Sequence, residues 1–181
     1  MYTMKSFIYY VIIFLIPFFS FSQASKKLTL EDIYFSRKFQ QDWVWGINSM
    51  NNGKEYSIID YQKNDITIDK YSYKSGKKIK TILKSSDIDS LKFDTYEFNS
   101  SEDKVLLQVE SEPIYRYSEK SFVYAYDLKS NNLIKISENK ISLPEFSPNG
   151  KMISYVYNNN LFIYDIISKQ TTKCTKDGKK K

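Results

Sequence analysis

Residues 146–166 read Phe146-Ser147-Pro148-Asn149-Gly150-Lys151-Met152-Ile153-Ser154-Tyr155-Val156-Tyr157-Asn158-Asn159-Asn160-Leu161-Phe162-Ile163-Tyr164-Asp165-Ile166. Pro, Asn and Gly at 148–150 signal a turn. Met152 to Tyr157 is rich in β-formers and predicts a strand. Asn158-Asn159-Asn160 predicts a tight turn, Leu161 to Ile166 a second strand, Ser168-Lys169-Gln170 another turn, and Thr171 to Thr175 a short polar strand.

The same layout recurs upstream. Phe98 to Lys104 predicts a turn, Val105 to Val109 a strand, Phe122 to Leu128 the next strand, Ser130-Asn131-Asn132 a turn, and Leu133 to Ser137 an outer strand. An earlier, more worn copy runs through Ser49 to Lys54, Glu55 to Tyr61, Ile66 to Tyr73, Ser75-Gly76 and Lys78 to Leu83. The repeats fall near 49–84, 94–138 and 144–175, and Gly53, Asp103 and Gly150 align as matching turn positions. A period of about 48 residues, with about four short strands each, is that of a propeller blade. Blades bury both flat faces against their neighbours, which accounts for strands apolar on both sides such as Leu161 to Ile166. The expectation is an all-β fold, a partial β-propeller of about three four-stranded blades within 49–178. The alternative is a β-sandwich of twelve strands, which gives no reason for the turn sequences to recur.

Composition narrows function. The chain has 181 residues, no histidine and one cysteine, Cys174. Without histidine, no Ser-His-Asp or Cys-His catalytic system can assemble within it. One cysteine and no histidine exclude a His/Cys zinc site and an intrachain disulfide. Neither catalytic residues, nor a metal site, nor a cofactor site is expected. Cys174 reads as a buried apolar residue. The net charge is +6. The last nine residues carry five lysines against Asp177, and Lys5 adds one more, so the body is near neutral. Its lysines alternate with acids instead of forming a basic stripe, so no nucleic-acid partner is expected.

The first 24 residues read as a leader. Lys5 precedes the uncharged run Phe7 to Phe21, and Ser22-Gln23-Ala24 offers small residues for cleavage after Ser22 or Ala24. An uncleaved membrane anchor is the alternative, and the absence of a nearby cysteine excludes a lipoprotein. Both place the body outside the cytoplasm: periplasmic or extracellular, or membrane-anchored. Residues 25–48 read as a lead-in and first strand, and 179–181 as a Lys-rich tail.

Several motifs resemble a known family. Phe146 to Lys151, the strand after it, and Asn158 to Tyr164 resemble a blade of the prolyl oligopeptidase family. The stretch Val109-Glu110-Ser111-Glu112-Pro113-Ile114-Tyr115-Arg116-Tyr117-Ser118, followed by Phe122 to Asp127, resembles the bacterial (Bacteroidetes-type) dipeptidyl peptidase IV group, as does Leu28 to Ile33. The resemblance covers about Leu28 to Gly178. It implies an exported serine exopeptidase that pairs an eight-bladed propeller with a C-terminal α/β-hydrolase domain and releases X-Pro or X-Ala dipeptides. It implies as partners a peptide substrate, the hydrolase domain and, for the complete enzyme, a second copy in a homodimer. The family's Asp-Trp-Val-Tyr-Glu-Glu motif would follow Gly178. Asp42-Trp43-Val44-Trp45 mimics its start, but Gly46 and Ile47 replace the acids, so Trp43 and Trp45 read as blade-packing aromatics. The tail at 179–181 then marks a truncation point, and the chain alone would be inactive. The competing readings are a free-standing exported propeller-type binding or scaffold module and a membrane-anchored structural protein.

One segment stands apart. Twelve residues separate Val109 from Phe122, where the third repeat has three between Tyr157 and Leu161. The expectation is a longer loop on one face of the repeat array, a common place for a binding surface. It holds Glu110, Glu112, Pro113, Tyr115, Arg116 and Tyr117. The resemblance places Arg116 at the family's substrate-contacting arginine. The alternative pairs Arg116 with Glu110 or Glu112 on the surface. Asn99-Ser100-Ser101 matches a glycosylation sequon. Glu110 and Glu112 read as a solvated pair, with paired-carboxylate chemistry as their alternative.

Overall fold

A computed structural model describes residues 27–40, 46–63 and 65–179 of the protein. The leader, Trp43, Trp45 and the last two lysines lie outside the described residues. The chain divides into two units, with the boundary after Trp43. In the first, Leu30–Tyr34 forms a short helix, α1. Its start is a capping box: Thr29 Oγ1 accepts from the Asp32 N–H, and the Asp32 carboxylate accepts from the Thr29 N–H.

The second unit holds twelve strands in three four-stranded antiparallel sheets. The first sheet is β1 (Asn48–Ser49), β2 (Glu55–Tyr61), β3 (Ile66–Ser72) and β4 (Lys78–Lys84). The second is β5 (Thr95–Phe98), β6 (Lys104–Tyr115), β7 (Ser118–Asp127) and β8 (Asn132–Lys135). The third is β9 (Ser142–Phe146), β10 (Met152–Tyr157), β11 (Asn160–Asp165) and β12 (Thr171–Lys173). Each strand pairs with the next in sequence, the meander of a propeller blade.

The turn between the first two strands is built alike in all three sheets. Gly53, Glu102 and Gly150 have φ of 63°, 53° and 64°. Their N–H groups donate to the carbonyls of Met50, Asn99 and Ser147. The N–H groups of those three residues in turn donate to the carbonyls of Glu55, Lys104 and Met152, where the second strands begin. The position equivalent to the glycines is therefore Glu102, not Asp103. Aligning Asp103 misses by one because glutamate, not glycine, adopts the left-handed conformation there. Asn99 compensates for that: its Oδ1 accepts from the N–H groups of Asp103 and Lys104, at 3.0 and 2.9 Å.

The β10–β11 turn is shorter than expected. Asn158 and Asn159 have φ of 47° and 59°, the paired positive values of a type I′ hairpin. Asn160 already pairs with Tyr157 inside the strand. The next turns of the second and third sheets repeat each other. Asp127 Oδ1 accepts from Lys129 N and Ser130 N, and Asp165 Oδ1 from Ile167 N and Ser168 N.

Two cores lie between the three sheets. Ile68 and Leu83 of the first sheet pack with Val105, Leu107 and Val109 of the second, and Phe93 of the connection is fully buried among them. Leu106, Val123 and Ala125 of the second sheet pack with Ile153, Tyr155 and Tyr164 of the third. Strand alternation sends odd and even residues of β6 to opposite cores, so the second sheet is apolar on both faces. Each fully buried aliphatic side chain contributes about 1.5–3 kcal/mol. The third sheet differs from the expectation. In β11, Tyr164 is buried but Leu161 is exposed, because only one face of that sheet meets another sheet among the described residues. Cys174 is also exposed, contrary to its reading as a buried residue. It follows β12, an edge strand that presents three exposed residues.

Candidate functional site

The twelve residues between Val109 and Phe122 are not a loop. They continue β6 and β7 as a hairpin arm closed by a turn at Arg116 and Tyr117. The sequence hides this because the ladder slips. Pairing runs regularly from Lys104↔Asp127 to Val109↔Phe122, shifts, and resumes as Glu112↔Lys120, Pro113↔Glu119 and Tyr115↔Ser118. Glu110, with φ of 52°, sits in the break as a bulge. Alternation is lost there, so the apolar pattern that marks a strand is lost too.

The arm's base is held by charge. Lys120 Nζ lies 2.9 Å from Glu112 Oε2. Lys140 Nζ donates to Glu112 Oε1 and to the Glu110 carbonyl, both at 2.7 Å. The hydrogen bond from Lys140, then that from Lys120, lowers the Glu112 carboxyl to a pKa of about 2. The acids expected to compete for Arg116 are thus occupied by lysines, and among the described residues Arg116 forms no ion pair. The surface ion-pair alternative fails because the bulge turns Glu110 and Glu112 toward Lys140. Glu110 and Glu112 are both exposed, in keeping with their reading as solvated acids, and Glu112 is in addition paired with Lys120 and Lys140.

Arg116 stands at the exposed tip between Tyr115 and Tyr117, which are 73% and 97% exposed. A groove of about 380 Å³ runs beside the tip, lined in part by Glu97, Gln108, Arg116, Glu119, Leu143 and Glu145. Glu97 lies on β5 and Glu145 on β9, the first strands of the second and third sheets. Burial, then the nearby Glu145 charge, raises the Glu97 pKa. Sequence reasoning missed this pair. Its signal was present: Glu97-Phe98 and Glu145-Phe146 recur immediately before equivalent turns. Lys140 was missed as well, and it lies 28 residues from Glu112.

Among the described residues, none of the groove's hydroxyls, on Tyr115, Tyr117 and Ser118, is hydrogen-bonded to a carboxylate. The guanidinium fork can donate to a carbonyl or carboxylate oxygen, and the carboxylates can accept from a cationic group. Among the described residues, no cluster of three or more Asp, Glu or Cys is placed to hold a metal ion. Asn99 does not behave as an exposed sequon. It is 4% exposed, and its amide nitrogen donates to Asp103 Oδ1 at 2.8 Å.

Residues 99–181 match the family model described as the dipeptidyl peptidase IV (DPP IV) N-terminal region. Human prolyl endopeptidase FAP is 29% identical over 144 residues, which are 76% of this chain and 18% of that protein. Dipeptidyl aminopeptidase B of Saccharomyces cerevisiae is 36% identical over 76 residues, 41% of this chain and 9% of that one. Among solved structures, dipeptidyl peptidase 4 of Porphyromonas gingivalis aligns with a TM-score of 0.70 and 31% identity, over 85% of this chain and 22% of that one. The chain spans less than a quarter of the length of these relatives.

Proposed function

Since this chain carries N-terminal propeller sequence of the dipeptidyl peptidase IV family, we propose that it is the substrate-gating and substrate-binding part of an exported peptidase that releases X-Pro or X-Ala dipeptides. In this reading, Arg116 contacts the peptide and a separate α/β-hydrolase domain cleaves it. The observation that carries the reading is the state of Arg116: exposed at a hairpin tip beside a groove, with the neighbouring glutamates already held by lysines. An arginine without a structural ion pair keeps its directional donors for a ligand carbonyl or carboxylate. Export rests on the Lys5, Phe7 to Phe21 and Ser22-Gln23-Ala24 pattern. N-terminal sequencing of the chain produced in a related bacterium should begin at Gln23 or Ser25. A mature chain that starts at Met1 would refute cleavage.

The test of Arg116 is a chimera in which residues 27–179 replace their counterpart in the Porphyromonas gingivalis enzyme. Arg116→Ala should lower kcat/KM on a Gly-Pro chromogenic substrate by about tenfold or more, with Tm nearly unchanged. Arg116→Lys should recover only part of the loss, because an ammonium lacks the planar fork. Full activity in the alanine chimera would overturn the assignment.

A further inference from the structure

We propose that Lys140 is a positioning residue that aims the Arg116 arm, by tying the strand break at Glu110 to the connection between the second and third sheets. This rests on the reading of Arg116 as a peptide-contacting group.

The arm needs such a tie. Beyond the break its two strands are joined by the pairs Glu112↔Lys120, Pro113↔Glu119 and Tyr115↔Ser118 and by the Lys120–Glu112 ion pair, the Ser111 N–H donates to Asp94 Oδ2 at the base, and the tip is open to solvent. The break at Glu110 is where a two-stranded arm can swing. From Glu110 to the tip is about 20 Å of extended chain, so a swing of about 10° moves Arg116 by about 3 Å. That displacement is enough to lose a directed hydrogen bond.

Lys140 is placed to prevent it. Its ammonium contacts both sides of the bulge, the Glu110 carbonyl and the Glu112 carboxylate, each at 2.7 Å, with Glu110 Oε2 at 3.6 Å. It also lies 5.3 Å from the centre of the Phe122 ring, opposite Val109 at the last regular pair of the ladder. The Lys140 side chain is 17% exposed, where that of Lys120 is 46% exposed. Its own anchor lies at the base of the arm, beside Phe122 and short of the part that swings. The next residue, Ile141, is 1% exposed and exchanges two backbone hydrogen bonds with Ser121, at 2.9 and 3.0 Å. The lysine therefore reaches from a fixed point to the movable one. Of its contacts only Phe122 touches a core, at the edge of the first, so losing them should free the arm and leave the sheets in place.

Hydrogen–deuterium exchange on the full 181-residue chain tests this. Lys140→Ala should speed exchange of the arm amides, 111–120, by about tenfold, while those of 105–107 and 123–126 keep their protection. Lys140→Arg should restore the arm's protection, since it keeps a donor for the carbonyl and the carboxylate. Unchanged arm exchange in Lys140→Ala would overturn the proposal. Should that variant lose protection in all three sheets, Lys140→Met decides. It keeps the apolar stem beside Phe122, removes the ammonium and leaves the Lys120–Glu112 pair intact. Faster exchange confined to the arm supports the proposal, and no change refutes it. Arg116→Ala should leave arm exchange untouched. A failure of the arm experiment is thus separable from a failure of Arg116 in the chimera's kinetics.

Discussion

The Tyr96 hydroxyl lies 2.9 Å from Ser57 Oγ, joining the first and second sheets through side chains that are 8% and 0% exposed. It is a buried polar contact beside an otherwise apolar core. Removing one partner leaves the other buried with only a weaker contact, such as Ser57 Oγ to the Asn48 carbonyl at 3.5 Å. Tyr96→Phe should therefore cost about 1–2 kcal/mol in a urea titration. The double change with Ser57→Ala should cost less than the two single changes together, because the second no longer leaves an orphaned group.

Gly150 meets the second sheet across the other interface. A Cβ there would lie 2.7 Å from the amide nitrogen of Asn99, which is held by Asp103. Gly53 has the same φ but open space around it. Both resist alanine through the backbone, at about 1 kcal/mol. Gly150→Ala should lower stability by about 1 kcal/mol more than Gly53→Ala, through the added clash. Equal losses would mean that Asn99 yields freely.

Acid should loosen the turn around Asp103. A hydrogen bond from Lys129, then one from Asn99, lowers the Asp103 carboxyl from 3.8 to about 2. A depressed carboxylate binds fewer protons folded than unfolded, so its stabilisation is present above pH 3.8 and is lost as pH falls through about 2. Asp103→Asn should flatten that part of the stability–pH curve. NMR titration of the Asp103 carboxyl checks the midpoint directly.

Glu97 should behave in the opposite sense. Its raised pKa, caused first by burial and then by Glu145, favours the folded state at low pH and opposes it as pH rises through the folded value. The Glu97 side chain is exposed and only partly shielded from water, so the effect is small. Glu97→Gln should raise stability at neutral pH by about 0.5 kcal/mol or less and leave it unchanged near pH 3.

The third sheet presents Met152, Val156, Leu161 and Ile163 on the face away from Tyr155 and Tyr164. Met152 and Leu161 are 41% and 39% exposed. An open apolar face of this kind binds hydrophobic dyes or drives association. Leu161→Lys should reduce dye fluorescence and self-association of the chain in light scattering, with the blade itself intact. Unchanged dye binding would place the sticky surface elsewhere.

The blade pattern was legible along the chain because it is local. Alternating β-formers set the strands, and Asn, Gly and Asp set the turns, each within a few residues of the groups they bond. Glu55–Tyr61 and Met152–Tyr157 are strands with the bounds read from the sequence. With no histidine among them, these 181 residues cannot by themselves build a histidine-based catalytic system. Other features depend on residues distant in sequence, and only the tertiary structure decided them. The arm reads as a loop because a bulge at Glu110 breaks the alternation, and the groups that hold it, Glu112 and Lys140, are 28 residues apart. Glu102 adopts a glycine's conformation because Asn99 fastens the turn that follows it. Asn99 is buried, and Cys174 exposed, through their positions in the sheet array. Short-range hydrogen bonding and strand period are written in neighbouring residues. Burial, ion pairing and the direction of a hairpin arise only when separate sheets meet.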